Sequence, residues 1–438
     1  MYTLSQGNFV SPLTAGVVAS LVSYASTFTI VLTGLSAVGA TSAESASGLL
    51  ALCVVQAVLS VVLSWRYRMP LAFSWSTPGA ALLATSDATH TFSDAVGAFV
   101  VAGLAASLTG LIPAFGKLVG KIPLPVASGM LAGILLPLCL LPLTAVPQMP
   151  IAVVVVLLTW LILTALSPRW AVPGALAAAI MFLTLFPDQT VSTAAAATGA
   201  AFLWTTPTFH PSVIVGLGVP LFLVTMISQN LPGLSMLSSF GYKNVPARTI
   251  FVASGLSSMM AAPFGGHAIN LVALSAAITA GPEAHPDQSK RWTSSLSSAG
   301  AYAILGVTGS LIAPFLTGSG LILLGAVAGL ALLSALTSNL ATAFTNPKTR
   351  LPAAASFLVV VSGITVVHIG SAFWGIAAGV VLMAVTRVNR LLSARRSSLL
   401  HGWVTVSSHA ARAAGVFMMA SNSTGVKRPR AAWRRRRW

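Results

Sequence analysis

The chain has 438 residues, 56% of them hydrophobic and only 7% charged, with a formal net charge of +17. With a strongly positive mean hydropathy, this composition excludes a soluble domain and points to an all-α polytopic membrane protein. The basic excess does not point to nucleic acid: about half of the 23 Lys and Arg follow Ala384, in a tail ending WRRRRW, and the rest sit in short loops.

Thr14 to Val38 forms the first apolar block; it lacks a basic leader and is too long for a signal peptide, so it reads as a retained span. Blocks of crossing length then recur, bounded by Pro, Gly or a basic residue and without the alternation of barrel strands. The expected spans are 14–38, 46–65, 71–86, 95–115, 123–143, 151–167, 171–186, 212–232, 247–262, 263–280, 293–316, 320–343, 351–367 and 370–386, about 14 in all. Cys53 and Cys139 fall within apolar runs and read as small buried hydrophobes, not as a disulfide or metal pair. With this count, the loops holding Arg66 and Arg68, Lys117 and Lys121, Arg169, Lys243 and Arg248, Lys290 and Arg291, and Lys348 and Arg350 share one face with the tail. The positive-inside rule makes that face, and both termini, cytoplasmic.

The third and tenth segments, LAFSWSTPGAALLATS and PFGGHAINLVALSAAITA, differ from the rest. Each begins with a polar half interrupted by Pro or Gly and continues as a short helical half. Their matching places in two sets of seven predict 7+7 inverted repeats, because an odd number of spans turns the second copy over. Broken backbone is tolerated at membrane depth only where protein or a water-filled cavity satisfies it, so these segments are site candidates; simple kinked spans are the alternative. Ser76 or Thr77 caps a half-helix whose first turn holds Pro78 and Gly79. Gly265 and Gly266 allow a close approach, and the second half-helix is expected to start near His267, with Asn270 one turn further on the same face. Two half-helix N-termini facing each other favour a small anion. Gln229 and Asn230 in the eighth span, and Tyr24 and Ser23 in the first, are polar where lipid would penalise them; substrate binding and helix-to-helix hydrogen bonding both account for them.

Glu44, Asp87, Asp94 and Asp188 map to outer loops or span ends, and Glu283 and Asp287 to an inner loop, so a buried carboxylate relay is not visible. Metalloprotease, nucleophile-elbow and phosphate-loop patterns are missing, and the histidines lack metal-ligand spacing, so neither an enzyme nor a cofactor is expected.

PFGGHAINLVALSAAITAGPEAHPDQSKRW, from Pro263 to Trp292, resembles the signature region of the BenE family of benzoate transporters, and PLAFSWSTPGAALL, from Pro70 to Leu83, its other characteristic stretch. The similarity runs from about Leu13 to Arg387. It implies a proton-coupled symporter of the bacterial inner membrane, related to the uracil permease and nucleobase-ascorbate transporter fold. That fold implies short strands paired with half-helices in spans 3 and 10. It also implies core segments at 12–116 and 206–317, gate segments at 117–205 and 318–389, and a basic cytoplasmic tail at 390–438, read as disordered. Nucleobase permeases carry glutamates in spans 8 and 10, where this chain has Gln229 or Asn230, and Asn270. A carboxylate substrate fits that departure, because amides and helix N-termini donate hydrogen bonds that a buried glutamate would not.

The expected function is therefore elevator-type import of benzoate or a related aromatic monocarboxylate by proton symport. Tyr24, Ser76, Thr77, Gly79, Gln229, Asn230, Gly266, His267 and Asn270 form the substrate site. His267 is the proton-coupling candidate, with the substrate's own carboxyl, or Glu283 with His285, as other carriers. The expected partners are the substrate and the bilayer, with a homodimer left open. A nucleobase permease of the same fold and a passive anion channel are the competing readings.

Overall fold

The computed structural model describes residues 10–86, 90–112, 114–116, 122–186, 201–282, 284–309, 318–367 and 369–389. By internal contacts the chain divides between Leu382 and Met383, and the described residues of the second unit are the helical 383–389. The tail from residue 390, together with Glu283, Asp87, Asp188, Lys117 and Lys121, lies outside the described residues.

In chain order the elements are α1 (Val10–Ala37), α2 (Ser42–Tyr67), β1 (Phe73–Trp75), α3 (Thr77–Ala84), α4 (Phe92–Leu111), α5 (Leu124–Thr144), α6 (Pro150–Leu166) and α7 (Pro168–Leu185). There follow α8 (Pro211–Ser239), α9 (Ala247–Ala261), β2 (Ile269–Leu271), α10 (Ala273–Ala280), α11 (Trp292–Gly309), α12 (Gly318–Phe344), α13 (Arg350–Val361) and α14 (Ser371–Asn389). Among the described residues seven helices are long and apolar enough to cross a membrane, and three further apolar helices of 10–17 residues are shorter. The chain is a mostly helical, multi-pass membrane protein.

Local chemistry fixes the ends. Thr41 with Glu44 and Thr91 with Asp94 form reciprocal capping boxes, so two of the acids expected at span ends hold the first turns of α2 and α4. Asp94 also accepts a hydrogen bond from the Thr208 hydroxyl. At the inner loop the Arg291 guanidinium donates to the carbonyls of Ala280 (2.9 Å), at the C-terminus of α10, and of His285 (2.7 Å).

Packing joins α1 and α2 to α11, α4 to α9, and α1 to α3; α5 lies along α12 and α13, and α6 along α7. Further contacts of α1 with α12 and of α3 with α5 connect these groups. At the centre β1 and β2 pair antiparallel, Phe73 opposite Leu271, Ser74 opposite Asn270 and Trp75 opposite Ile269.

Two strands in an apolar interior expose two edges of unpaired backbone, a costly arrangement unless side chains close them. Here helices do so. Along β1, Ser60 Oγ of α2 accepts from the Phe73 N–H (3.1 Å), and Ser64 Oγ both accepts from the Leu71 N–H (3.2 Å) and donates to the Leu71 carbonyl (3.0 Å). Along β2, Ser258 Oγ of α9 accepts from the Ile269 N–H (2.8 Å) and Asn230 Oδ1 of α8 from the Leu271 N–H (3.0 Å). Serines four apart on a helix advance about 6 Å, close to the roughly 6.6 Å between alternate strand residues, so one helix face can serve a whole edge.

Two expectations are corrected. The second half-helix does not begin near His267 but at Ala273. Gly265 turns the chain at φ +91°, and Gly266 to Val272 then run extended because β1 offers a pairing partner. His267 and Asn270 are thus three residues apart on extended backbone, where odd separations point to opposite faces, rather than neighbours on a helix. Because the strands overlap side by side, α3 and α10 leave from opposite ends of the pair, about 13 Å apart by strand rise.

Candidate functional site

The strand pair gathers most of the expected residues. The Ser76 N–H donates to the Ala268 carbonyl (2.9 Å), extending the ladder to the first residue of the α3 cap. Ser76 Oγ then accepts from the Gly79 N–H (3.1 Å), with Pro78 in the first turn, so the TPG sequence starts α3 as its chemistry requires. A residue that sequence reasoning missed completes the cap: Thr225 of α8 donates its hydroxyl to Ser76 Oγ (2.9 Å).

His267 is fully buried, and its Nε2 lies 3.0 Å from the Ser76 carbonyl. A carbonyl only accepts, so this nitrogen carries the proton. The opposite nitrogen, Nδ1, is buried without a hydrogen-bond partner among the described residues, and the ring meets Phe99 edge-on at 6.3 Å. Asn270 donates Nδ2 to the Leu271 carbonyl (3.3 Å) and leaves Oδ1 buried and unpartnered. Tyr24 is in the same condition: its hydroxyl has no partner among the described residues, while its ring stacks on Phe28 (5.1 Å) and meets Trp75 edge-on (5.7 Å). Each such atom costs about 1–3 kcal/mol when left unmade, and His267 Nδ1, on the face of the extended segment away from Asn270, belongs to the one side chain of the three that is tied to the α3 cap.

Other expected residues have different places. Asn230 is committed to the β2 edge, while Gln229, beside it on the same wide turn of α8, is only partly buried. Gly266 is buried against Ala261, where an added Cβ would come within 2.6 Å of the Ala261 Cβ. Thr77 is partly exposed at the start of α3. His285 lies in the inner loop, accepting at Nδ1 from the Asp287 N–H (2.9 Å).

A cavity of about 380 Å³ opens at the other end of α3. It is lined by Leu82 and by Ala84 to Ser86, by the middle of α5, by the first turns of α8 and by residues at the end of α13 and between it and α14. Among the described residues, none of the expected site residues lines it, nor does any Lys, Arg, Asp or Glu, and His90 is the one titratable side chain on its wall.

Solved structures share this architecture. The transmembrane domain of a cyanobacterium bicarbonate transporter, BicA, superposes with a TM-score of 0.57 at 17% identity, covering 85% of this chain and 98% of that one. The murine Slc26a9 anion transporter in the inward-facing state gives 0.62 at 13% identity, covering 89% and 70%. At these identities the likeness shows the fold alone: that of a membrane transporter. The kinship with uracil permeases expected from the sequence finds no support among these neighbours.

Sequence comparison carries the assignment further. Residues 7–385 match the family described as BenE, benzoate membrane transport protein. The chain is 36% identical over 373 residues to inner membrane protein YdcO of Escherichia coli, covering 85% of this chain and 95% of that protein. It is 33% identical over 381 residues to the benzoate membrane transport protein of Acinetobacter baylyi, covering 86% and 95%. The chain belongs to the BenE family, and it is a membrane transporter and not an enzyme.

Proposed function

We propose that this chain carries benzoate or a related aromatic monocarboxylate across the bacterial inner membrane together with a proton. The observation that carries the reading is His267: fully buried, fixed through Nε2 to the Ser76 carbonyl, with Nδ1 left open. A neutral imidazole presents only a lone pair at Nδ1 and has nothing to offer a carboxylate. Protonated there, it becomes a donor with a positive charge, and an anion completes a charge-assisted pair. Anion and proton then bind as one neutral unit. The N-terminus of α3 adds partial positive charge beside Ser76, and the rings of Tyr24 and Trp75 offer an apolar surface to a phenyl group.

The antiparallel strand pair, each strand continued by a short helix, supports an inverted 7+7 repeat. The packing supports a core of α1–α4 with α8–α11 moving as an elevator against a gate of α5–α7 with α12–α14. The basic loops support cytoplasmic termini, and the cavity beyond α3 then faces outward.

Uptake of labelled benzoate into proteoliposomes under an imposed proton gradient tests the reading. Accumulation above the outside concentration that collapses with a protonophore is the expected result; strictly downhill flux would replace the symporter by a passive anion channel. Competition by uracil or xanthine would instead favour the nucleobase reading.

A further inference from the structure

Between the cavity and the buried strand pair lies one layer of side chains. On α8, Val213, Leu217, Leu221 and Thr225 recur every four residues and form one stripe. Val213 and Leu217 line the cavity, while Thr225, two turns on, donates to Ser76 Oγ (2.9 Å). The antiparallel stripe on α3 runs from Leu82, which lines the cavity, through Gly79 to Ser76. Leu221 and Gly79 fill the gap: Leu221 is 0% exposed, and a Cβ added at Gly79 would lie 2.7 Å from Leu221 Cδ1. Leucine lies flush on the half-helix only because position 79 has no side chain.

The segment bearing Leu221 is held unusually. Val219–Thr225 is α-helical, but Ile214–Gly218 before it and Met226–Asn230 after it are π-helical. The Val219 N–H donates to the Ile214 carbonyl and the Leu231 N–H to Met226, five residues back in each case. Each wide turn ends two residues before a proline, Pro220 and Pro232, whose rings have no N–H and crowd the carbonyl four residues back. A π turn holds one extra residue, so moving it along the helix by a few positions rotates the residues it passes by about 100°. Two such turns let the seven residues between them turn without unwinding α8.

From this geometry we infer that Leu221 against Gly79 is a steric gate between the cavity and the Ser76–His267 site. It opens for an aromatic monocarboxylate when the Val219–Thr225 segment rotates between its two π turns. The inference rests on the site reading above. The cavity is then the access chamber, and the width of the layer, a leucine on a glycine, admits a flat ring.

The test is thiol accessibility in the full chain in lipid nanodiscs, with the buried free cysteines replaced (Cys53→Ala, Cys139→Ala) and Thr225→Cys as the reporter. A membrane-impermeant thiol reagent should modify that reporter at least about tenfold faster with Leu221→Ala than with Leu221. The volume-conserving Leu221→Met should stay slow, and Ser212→Cys, on the cavity wall, should react equally in all backgrounds, showing that each is folded. Equal Thr225→Cys rates with Leu221 and Leu221→Ala, or a Leu221→Met rate as high as that of Leu221→Ala, would overturn the gate. Benzoate protection of the reporter is read separately: a rate that rises in Leu221→Ala without protection upholds the gate and counts against the site assignment alone.

Discussion

Replacing His267 by glutamine separates its two nitrogens by function. The glutamine amide can still donate to the Ser76 carbonyl, now met by Nε2 at 3.0 Å, so the tie between β2 and the α3 cap persists. What is lost is a group that can be protonated where Nδ1 now stands buried and unpartnered. A hydrogen bond to a charged group contributes about 1.5–3 kcal/mol, so the anion's affinity should fall by a factor of about 10 to 150. The affinity that remains, from the α3 N-terminus and neighbouring rings, should not depend on pH. The assay is labelled benzoate uptake by proteoliposomes at fixed membrane potential, with external pH varied from acidic to mildly alkaline. In the parent protein uptake should rise as the pH falls; in His267→Gln it should be weak and flat, and a proton gradient should no longer drive accumulation. Unchanged pH-dependent accumulation in His267→Gln would refute the role given to Nδ1 and move the proton to the substrate's own carboxyl.

Asn230→Leu removes the acceptor of the Leu271 N–H and should destabilise the protein by about 1–3 kcal/mol, read as a lowered Tm in detergent; Asn230→Asp keeps the acceptor but buries an unpaired carboxylate, so its Tm should approach that of the parent only at low pH, where the carboxyl is neutral. Ser258→Ala should cost a similar amount by freeing the Ile269 N–H, and a Tm within error of the parent would show that the β2 edge does not need it. Gly265→Ala forces a side chain into φ +91° and within 3.1 Å of the Gly48 Cα, and should cost about 1–3 kcal/mol and reduce folded yield on size exclusion. In the inner loop, hydrogen bonds from the Ser289 hydroxyl and N–H hold the Asp287 carboxyl below its usual range. A depressed folded pKa stabilises above the unfolded value and is lost as pH falls through the folded one, so Ser289→Ala should lose less Tm than the parent between about pH 6 and pH 3.

The broken segments were legible because Pro78, Gly265 and Gly266 are local signals: a proline suited to a first turn and a glycine pair that allows φ above zero. Hydropathy likewise located the helices. What the residues alone did not show is the course of Gly266 to Val272, which depends on pairing with a strand nearly two hundred positions earlier. The periodicity of HAINLVALSAAITA suits a helix well enough that only the partner decides. Thr225 was missed because a threonine on an apolar helix gives no sign of its partner. Ser60 and Ser64 carried a faint signal: two hydroxyls one turn apart face one neighbour, and serving a strand edge is one reason to keep them in a membrane helix.

Under the proposed function, the same arrangement lets a site for an anion do without a fixed cation. The strand edges are closed by Ser60, Ser64, Ser258 and Asn230, all neutral, and the only charged side chains buried among the described residues, Asp94 and Arg291, are committed to capping helix ends. A lysine or arginine beside Ser76 would hold a carboxylate at every pH and would leave the proton no part in binding. With only the partial charge of a helix N-terminus and an imidazole whose second nitrogen is empty, the site becomes cationic when His267 is protonated and reverts when the proton leaves. Under the proposed function, the lack of a permanent charge among the described residues of the site makes anion binding conditional on the proton, the condition that coupling requires. Placing a permanent cation beside Ser76 by Thr225→Lys, at the position whose hydroxyl now reaches Ser76 Oγ, should therefore retain the anion and abolish accumulation driven by a proton gradient. If that variant still concentrates benzoate in response to pH, the coupling does not reside in the charge state of this site.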